Sequence, residues 1–180
     1  MSTSMIIVVV VAVLVVAALI AFGLRTQRRR RLRERFGPEY DRAVEDSPNR
    51  TKAERDLLAR ERRHDKLDIR PLSDSAREHY RQQWSLIQER FVDRPDDAIG
   101  EADRVLTRLM ADRGYPTEGY EQQVNDLSVE HARTLEHYRR ARETLRGNEK
   151  TRADTEALRK AMVHYRTVFD DLLAEREGSK

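Results

Sequence analysis

The sequence predicts an all-α protein with an N-terminal transmembrane helix followed by a small helical bundle. Three observations support this fold class. An uninterrupted apolar run extends from Ile6 to Leu24. Beyond it, apolar residues recur at helical spacing, without the alternation that is typical of strands. The seven glycines and five prolines are few, and most stand between the helical segments, where chain breaks are expected.

Residues 6–24 form the predicted transmembrane helix, and they contain no charged side chain. At about 1.5 Å per residue the segment spans roughly 28 Å, close to the roughly 30 Å hydrocarbon core of a bilayer. A cleaved signal peptide is less favoured, because residues 1–5 have no basic side chain and the apolar run exceeds the usual core of about 7–15 residues. We therefore expect an uncleaved membrane anchor.

An arginine-rich juxtamembrane helix is predicted over residues 25–36. Basic residues beside a span favour the cytoplasmic side. Residues 1–5 would then be an extracytoplasmic stub, and the domain would lie at the cytoplasmic face of the plasma membrane. A domain that faces outward, into the cell envelope, is the alternative. The candidate membrane-surface residues are Arg25, Arg28, Arg29, Arg30, Arg31, Arg33 and Arg35.

The charge of the chain is divided unevenly. The seven arginines and Glu34 give residues 25–35 a charge of +6, whereas the whole chain carries +3, so residues 36–180 sum to −3. An acidic folded part argues against nucleic-acid binding. We expect the arginines to contact anionic lipid head groups, at about 1 kcal/mol each; a site for a nucleic acid or an acidic partner is the alternative. The absence of cysteine excludes disulfides, thiolate metal sites and cysteine nucleophiles.

Residues 37–73 are predicted to be a polar helical connector. Gly37-Pro38 ends the first helix and opens a short one that extends to Glu45. Thr51 and Glu54 have the spacing of a capping box, which predicts a polar helix from Thr51 to about Lys66. The sequence leaves open whether this connector packs on protein or lies on lipid. An extended segment, residues 67–72, follows.

Residues 74–176 are predicted to form the bundle, and residues 177–180 a disordered tail. Its first helix begins with a capping box at Ser75–Glu78. Breaks are expected at Pro95, at Gly114–Pro116 and at Gly147-Asn148. We expect a short helix over residues 117–126, with Ser128 capping the next helix, and a last helix over residues 151–175. The predicted core positions are Tyr80, Trp84, Ile87, Phe91, Ile99, Ala102, Val105, Leu106, Leu109, Met110, Tyr120, Val124, Leu127, Leu135, Tyr138, Leu145, Leu158, Ala161, Met162, Tyr165, Val168, Phe169, Leu172 and Leu173. The last helix is expected to dock against Trp84 and Phe91.

The tripeptide His-Tyr-Arg occurs three times, at residues 79–81, 137–139 and 164–166. One interpretation is that the three histidines converge on a metal ion. Neighbouring residues on a helix differ by about 100°, however, so a histidine beside a buried tyrosine points to the edge of the apolar stripe. We therefore favour three core tyrosines with His79, His137 and His164 at the rim, and we predict no metal or cofactor.

Catalytic motifs are not evident in the sequence. It contains no His-Glu-x-x-His, no glycine-rich phosphate loop and no GxSxG elbow. The paired carboxylates Asp96-Asp97 stand in the first turn of a predicted helix, where they complement the helix dipole. We therefore expect a protein that is not an enzyme.

Four segments carry a resemblance to a known group of proteins. They are residues 33–44 (RERFGPEYDRAV), 62–72 (RRHDKLDIRPL), 90–95 (RFVDRP) and 113–116 (RGYP). Together they resemble a family of uncharacterised, mainly actinobacterial proteins with an N-terminal apolar segment and a helical remainder. Some members are labelled secreted, which the arginine run here argues against. The resemblance implies a family and carries no known activity.

Two functions are compatible with these features. The first is a membrane-anchored interaction or scaffold module that binds another protein at the cytoplasmic face. Tethering would raise its effective concentration near membrane partners. The alternative is a domain that binds a small ligand or a metal in a pocket between the helices of the bundle.

Overall fold

The computed structural model describes residues 3–150 and 154–174, and within these residues it confirms the all-α fold class. Residues 1–2 of the predicted stub, residues 175–176 at the end of the predicted bundle and the predicted tail lie outside the described residues. No strand occurs in the described part of the chain. The helices are α1 (Thr3–Phe36), α2 (Pro38–Glu45), α3 (Arg50–His64), α4 (Asp74–Asp93), α5 (Pro95–Asp112), α6 (Tyr120–Glu130), α7 (Leu135–Lys150) and α8 (Thr155–Leu173).

The chain divides into two compact units, Met1–Leu58 and Ala59–Lys180. In the first unit, α1 continues without a break from the apolar segment through the arginines to Phe36. It ends where predicted, at Gly37, whose positive φ of 47° is an uncommon conformation for any other residue. Pro38 then opens α2, where its fixed φ and missing N–H cost nothing.

The first unit has its own buried apolar residues. Leu32 and Phe36 of α1, Tyr40 of α2, and Ala53 and Leu57 of α3 are all at most 2% exposed. The Tyr40 hydroxyl donates to Glu54 over 2.8 Å and so joins α2 to α3. The predicted connector is therefore not polar throughout, because α2 and the start of α3 contribute to this apolar cluster.

The second unit is built on α4, α5, α7 and α8. Helix α5 packs on α4, α7 and α8, and α7 packs along α8. The stacked rings of Trp84 and Phe169, 4.5 Å between centroids, join α4 to α8 as predicted. Phe91, Tyr120 and Leu145 are partly buried against this core. All the other predicted core positions are buried.

Three predicted helix caps are wrong. Asn49, not Thr51, accepts the Lys52 amide at the start of α3 (2.9 Å). Ser73, not Ser75, accepts the Ala76 amide at the start of α4 (3.2 Å). Ser128 caps nothing, since it lies inside α6 and donates to the Asn125 carbonyl. In each case several residues with capping side chains stand close together, and spacing alone does not choose between them.

Helix boundaries also differ from the prediction around α6, α7 and α8. Helix α6 begins three residues later than expected, at Tyr120, and extends to Glu130. Helix α7 continues through Gly147 to Lys150. The Asn148 amide bonds to Asp96 of α5 over 3.1 Å, a tertiary contact that offsets the roughly 1 kcal/mol cost of a glycine inside a helix. Asp154 caps α8, and the predicted start at residue 151 lies outside the described residues.

The segment 67–72 lies across the bundle as a non-helical strap. Leu67, Ile69 and Leu72 pack against the core. The Arg70 amide bonds to the Arg113 carbonyl over 3.0 Å. At Gly114, with φ at 95°, a Cβ would stand 2.2 Å from the Asp68 carbonyl oxygen, so the strap approaches this turn too closely for any side chain.

Replacing Phe169 by Ala should lower the free energy of unfolding of the bundle by about 3–5 kcal/mol, because it removes the ring stacked on Trp84 and leaves a cavity. Trp84 is the only tryptophan. Urea titration of the full chain in neutral detergent, followed by tryptophan fluorescence, measures the change. Val163→Ala on the same helix is the control: Val163 is 54% exposed, and its replacement should cost under about 0.5 kcal/mol. Equal losses in the two variants would contradict this account of the core.

Candidate functional site

The apolar half of α1 is the first candidate site. Residues 11–24 are all exposed. Among the described residues, this is the one helix that is long and apolar enough to cross a membrane. No part of its apolar stretch is buried within the protein. Exposed leucine, valine and phenylalanine side chains on all sides of a helix are unfavourable in water and favourable in lipid.

The seven predicted membrane-surface arginines lie on the second half of α1, and some of them pair with carboxylates on other helices. Arg29 pairs with Glu54 of α3 over 3.3 Å. Arg33 pairs with Asp41 of α2 over 3.0 Å and lies 5.3 Å from the centre of the Tyr40 ring. Both therefore contribute to the packing of the first unit.

The remaining arginines divide into two groups. Arg30 pairs with Glu34 one turn away, 2.9 Å apart, and Arg31 and Arg35 also interact with neighbouring groups. Within the described residues, Arg25 and Arg28 make no ion pair. They are also the two arginines nearest to the apolar segment. The predicted contact with lipid head groups is therefore most direct at Arg25 and Arg28.

The tyrosines of the three His-Tyr-Arg tripeptides are buried, as expected. Each hydroxyl donates to an acceptor on another helix: Tyr80 to Asp112 (2.6 Å), Tyr138 to Gln123 (2.6 Å) and Tyr165 to Asp103 (2.9 Å). Burial is the main cause that raises the pKa of all three hydroxyls above the ordinary value. They remain protonated at neutral pH and serve as hydrogen-bond donors.

Two of the three histidines meet, which the prediction of three separate rim positions did not include. The Nδ1 atoms of His137 and His164 lie 2.7 Å apart, between α7 and α8. His79 is exposed and bonds instead to Gln83 on its own helix. A hydrogen bond between two imidazole nitrogens needs one proton, so at most one ring of the pair can be charged while it persists. Burial, and then the neighbouring His137, lower the pKa of His164.

A buried polar network that sequence analysis missed is centred on His131. This side chain is 1% exposed; its Nδ1 lies 2.7 Å from Asp171 and its Nε2 lies 3.2 Å from the Tyr115 hydroxyl. Thr134 also donates to Asp171 over 2.7 Å. The order carboxylate, imidazole, hydroxyl is that of a proton relay. Tyr115 is only 3% exposed, however, and its hydroxyl donates to Glu130 over 3.2 Å, so its proton is directed away from His131. The network instead joins the α5–α6 loop, the α6–α7 turn and α8.

A cleft of about 630 Å³ opens between α5, α6 and α7. At its floor the buried Asp103 accepts from Arg142 and from the Tyr165 hydroxyl. The Tyr120 ring lies 5.5 Å from the Arg142 guanidinium and 4.6 Å from that of Arg146. We call it the arginine cleft. Its lining residues are Asp103, Arg104, Thr107, Arg108, Thr117, Glu118, Gly119, Tyr120, Gln123 and Arg142.

In the described part of the chain, no group of three or more histidine or carboxylate side chains is placed to hold a metal ion. Comparison with protein-family models, with curated proteins and with solved structures gives no match. The family resemblance therefore remains an expectation.

Lowering the pH should destabilise the bundle through His164. Its pKa in the folded protein is below the ordinary 6.5, so near and below that pH the unfolded chain binds more protons. Stability therefore falls with decreasing pH through this window. Unfolding titrations at about pH 7.5 and about pH 5.5 should show a larger loss for the wild type than for His164→Gln.

His79→Gln, which removes an exposed histidine outside the pair, is the matched control. It should leave the wild-type difference between the two pH values intact. If His164→Gln and the wild type lose the same stability on acidification, the pair is not the source of the effect.

Proposed function

We propose that this chain is a single-pass protein of the plasma membrane that holds a helical domain at the cytoplasmic face, where the domain binds another protein. The observation that carries the proposal is the continuity of α1. Its first half exposes apolar side chains, and its second half contributes Leu32 and Phe36 to the buried residues of the first unit. An unbroken helix of this kind connects an anchor to a folded unit without a flexible joint.

The orientation is supported by the charges that flank the span. The residues before it carry no basic side chain, and the segment after it carries seven arginines. Arg25 and Arg28 stand within about 6 Å of helix rise of the apolar segment, where they would meet anionic head groups. The domain beyond the arginines would then be cytoplasmic.

A role in binding is favoured over catalysis by where the polar groups lie. The side chains of His131 and Tyr115 are buried, and the tyrosine hydroxyls of the three tripeptides are occupied by contacts between helices. The bundle also exposes apolar side chains that its own core does not use: Leu86 (51% exposed), Val92 (82%) and Val163 (54%). A tethered domain needs only modest affinity for a partner in the same membrane, since tethering raises the effective concentration.

Ligand binding within the bundle is the second candidate, and the arginine cleft is the observation that favours it. A cavity of this size falls within the range of about 300–1,000 Å³ that is usual for small-molecule sites. A three-histidine metal site is not favoured, because His79 pairs with Gln83 and not with the other two histidines.

A reporter that is active only in the cytoplasm, fused after Lys180, should be active in cells. Replacing both Arg25 and Arg28 by Glu should lower that activity, because these residues help to set the orientation. Arg50→Glu is the control: it lies more than about 20 residues beyond the span, outside the range of the rule, and should leave the signal unchanged. An inactive wild-type fusion would place the domain outside the cytoplasm and overturn the proposed topology.

A photo-reactive amino acid placed at Leu86, Val92 or Val163 should form a discrete adduct with a partner protein in intact cells. The same residue at Leu19, in the apolar segment, reports the background of membrane neighbours. The adducts are resolved on gels and identified by mass spectrometry. Adducts at Leu19 alone, with none from the bundle positions, would count against a protein partner on these surfaces.

A further inference from the structure

We propose that the arginine cleft binds a small anion that carries a phosphate group. The first support is that arginines outnumber carboxylates on the lining, three against two. Arg104 and Arg108 are exposed on the lining, and within the described residues neither makes an ion pair. Arg146 lies on the adjoining cleft of about 560 Å³, which shares Gly119 and Tyr120 with the first; its recorded contact is with the Tyr120 ring.

The acidic groups of the cleft do not cancel these cations. Asp103 is 8% exposed, and its two oxygens already accept from Arg142 and Tyr165. Glu118, and Glu121 on the adjoining cleft, are exposed, so the two clefts together carry four arginines against three carboxylates, a net charge of +1. Because residues 36–180 together carry −3, this local net positive charge is opposite to the average charge of the domain. Such a local excess of positive charge attracts anions, and the attraction is stronger in a cleft than on an open surface.

The cleft also presents neutral hydrogen-bond donors. Thr107 and Thr117, whose hydroxyls can donate, are on its lining. Helix α6 begins there, at Tyr120, and its N-cap is Gly119, which has no side chain to accept the first amides. The space beside the Gly119 Cα is open, so a ligand can approach those amides. The helix N-terminus adds to a site that the arginines already define.

The Tyr120 ring holds two of the arginines in place. The Tyr120 ring stands near the guanidinium groups of Arg142 and Arg146, and it packs 5.9 Å from the ring of Tyr138. Arginines that are already oriented lose less side-chain entropy when a ligand binds. Several guanidinium groups around one space match the geometry and multiple charges of a phosphate or diphosphate better than those of a single carboxylate.

The phosphate could belong to a soluble metabolite or to a lipid head group, and the test separates them. The full chain is placed in nanodiscs of pure phosphatidylcholine and titrated with inorganic pyrophosphate by calorimetry. A second set of nanodiscs, about four parts phosphatidylcholine to one part phosphatidylglycerol, reports on lipid through the rise in melting temperature.

The test variant is Arg104→Gln with Arg108→Gln. Both side chains are exposed, so the variant should fold with an unchanged melting temperature in pure phosphatidylcholine. The control is Arg133→Gln, which removes an exposed arginine that is not on the cleft lining. Loss of two charge-assisted contacts should weaken pyrophosphate binding at least about tenfold in the double variant and leave the control unchanged.

Weak or absent pyrophosphate binding, combined with a rise in melting temperature on phosphatidylglycerol that only the double variant loses, would support the lipid head group as the source. If neither probe distinguishes the double variant from Arg133→Gln, the proposal is overturned. This outcome would leave the proposed anchoring and protein binding untouched, since those rest on α1 and on the exposed side chains of Leu86, Val92 and Val163.

Discussion

Three buried tyrosine hydroxyls constrain how the bundle can assemble. Tyr80, Tyr138 and Tyr165 lie in the apolar stripes of their helices, so each carries a polar group into the core that must find an acceptor. An unsatisfied hydroxyl there would cost on the order of 1–3 kcal/mol. The acceptors come from other helices: α5 supplies one to Tyr80 and one to Tyr165, and α6 supplies one to Tyr138. Apolar burial drives these helices together, and the hydroxyls fix the register in which they meet.

One of these acceptors explains the chemistry of the arginine cleft. A carboxylate as buried as Asp103 needs a positive charge beside it as well as a neutral donor. Arg142 supplies that charge from α7, and burial and the Asp103 carboxylate act on its pKa in opposite directions, with a net rise that keeps it charged. The carboxylate that accepts the buried Tyr165 hydroxyl, Asp103, therefore also holds the Arg142 guanidinium in place at the floor of an open cleft.

The sequence was sufficient for most of the fold, because apolar periodicity identifies helices and their buried faces. The stripe of α5 and that of α8 are buried residue for residue. The sequence was insufficient where two nearby residues could each cap the same helix, as at Asn49 and Ser73. It was also insufficient where a tertiary contact overrides a local helix-stop signal, as at Asn148. The meeting of His137 with His164, and of Arg142 with Tyr120, joins separate helices, and no spacing along the chain encodes it. The sequence places the arginine run on one helix with the apolar segment, but it could not divide the run into arginines that pair with carboxylates and those nearest the apolar segment.

The contact between Gly114 and Asp68 has a consequence for how this chain can vary. Any side chain at position 114 would push the strap away from the bundle, and the strap carries Leu67, Ile69 and Leu72 on the core. The loop after α5 and the segment before α4 are thus coupled, although more than forty residues separate them in the sequence. A substitution at Gly114 is tolerated only with a backbone shift in the strap. Recombination with a related chain would need to exchange the two segments together.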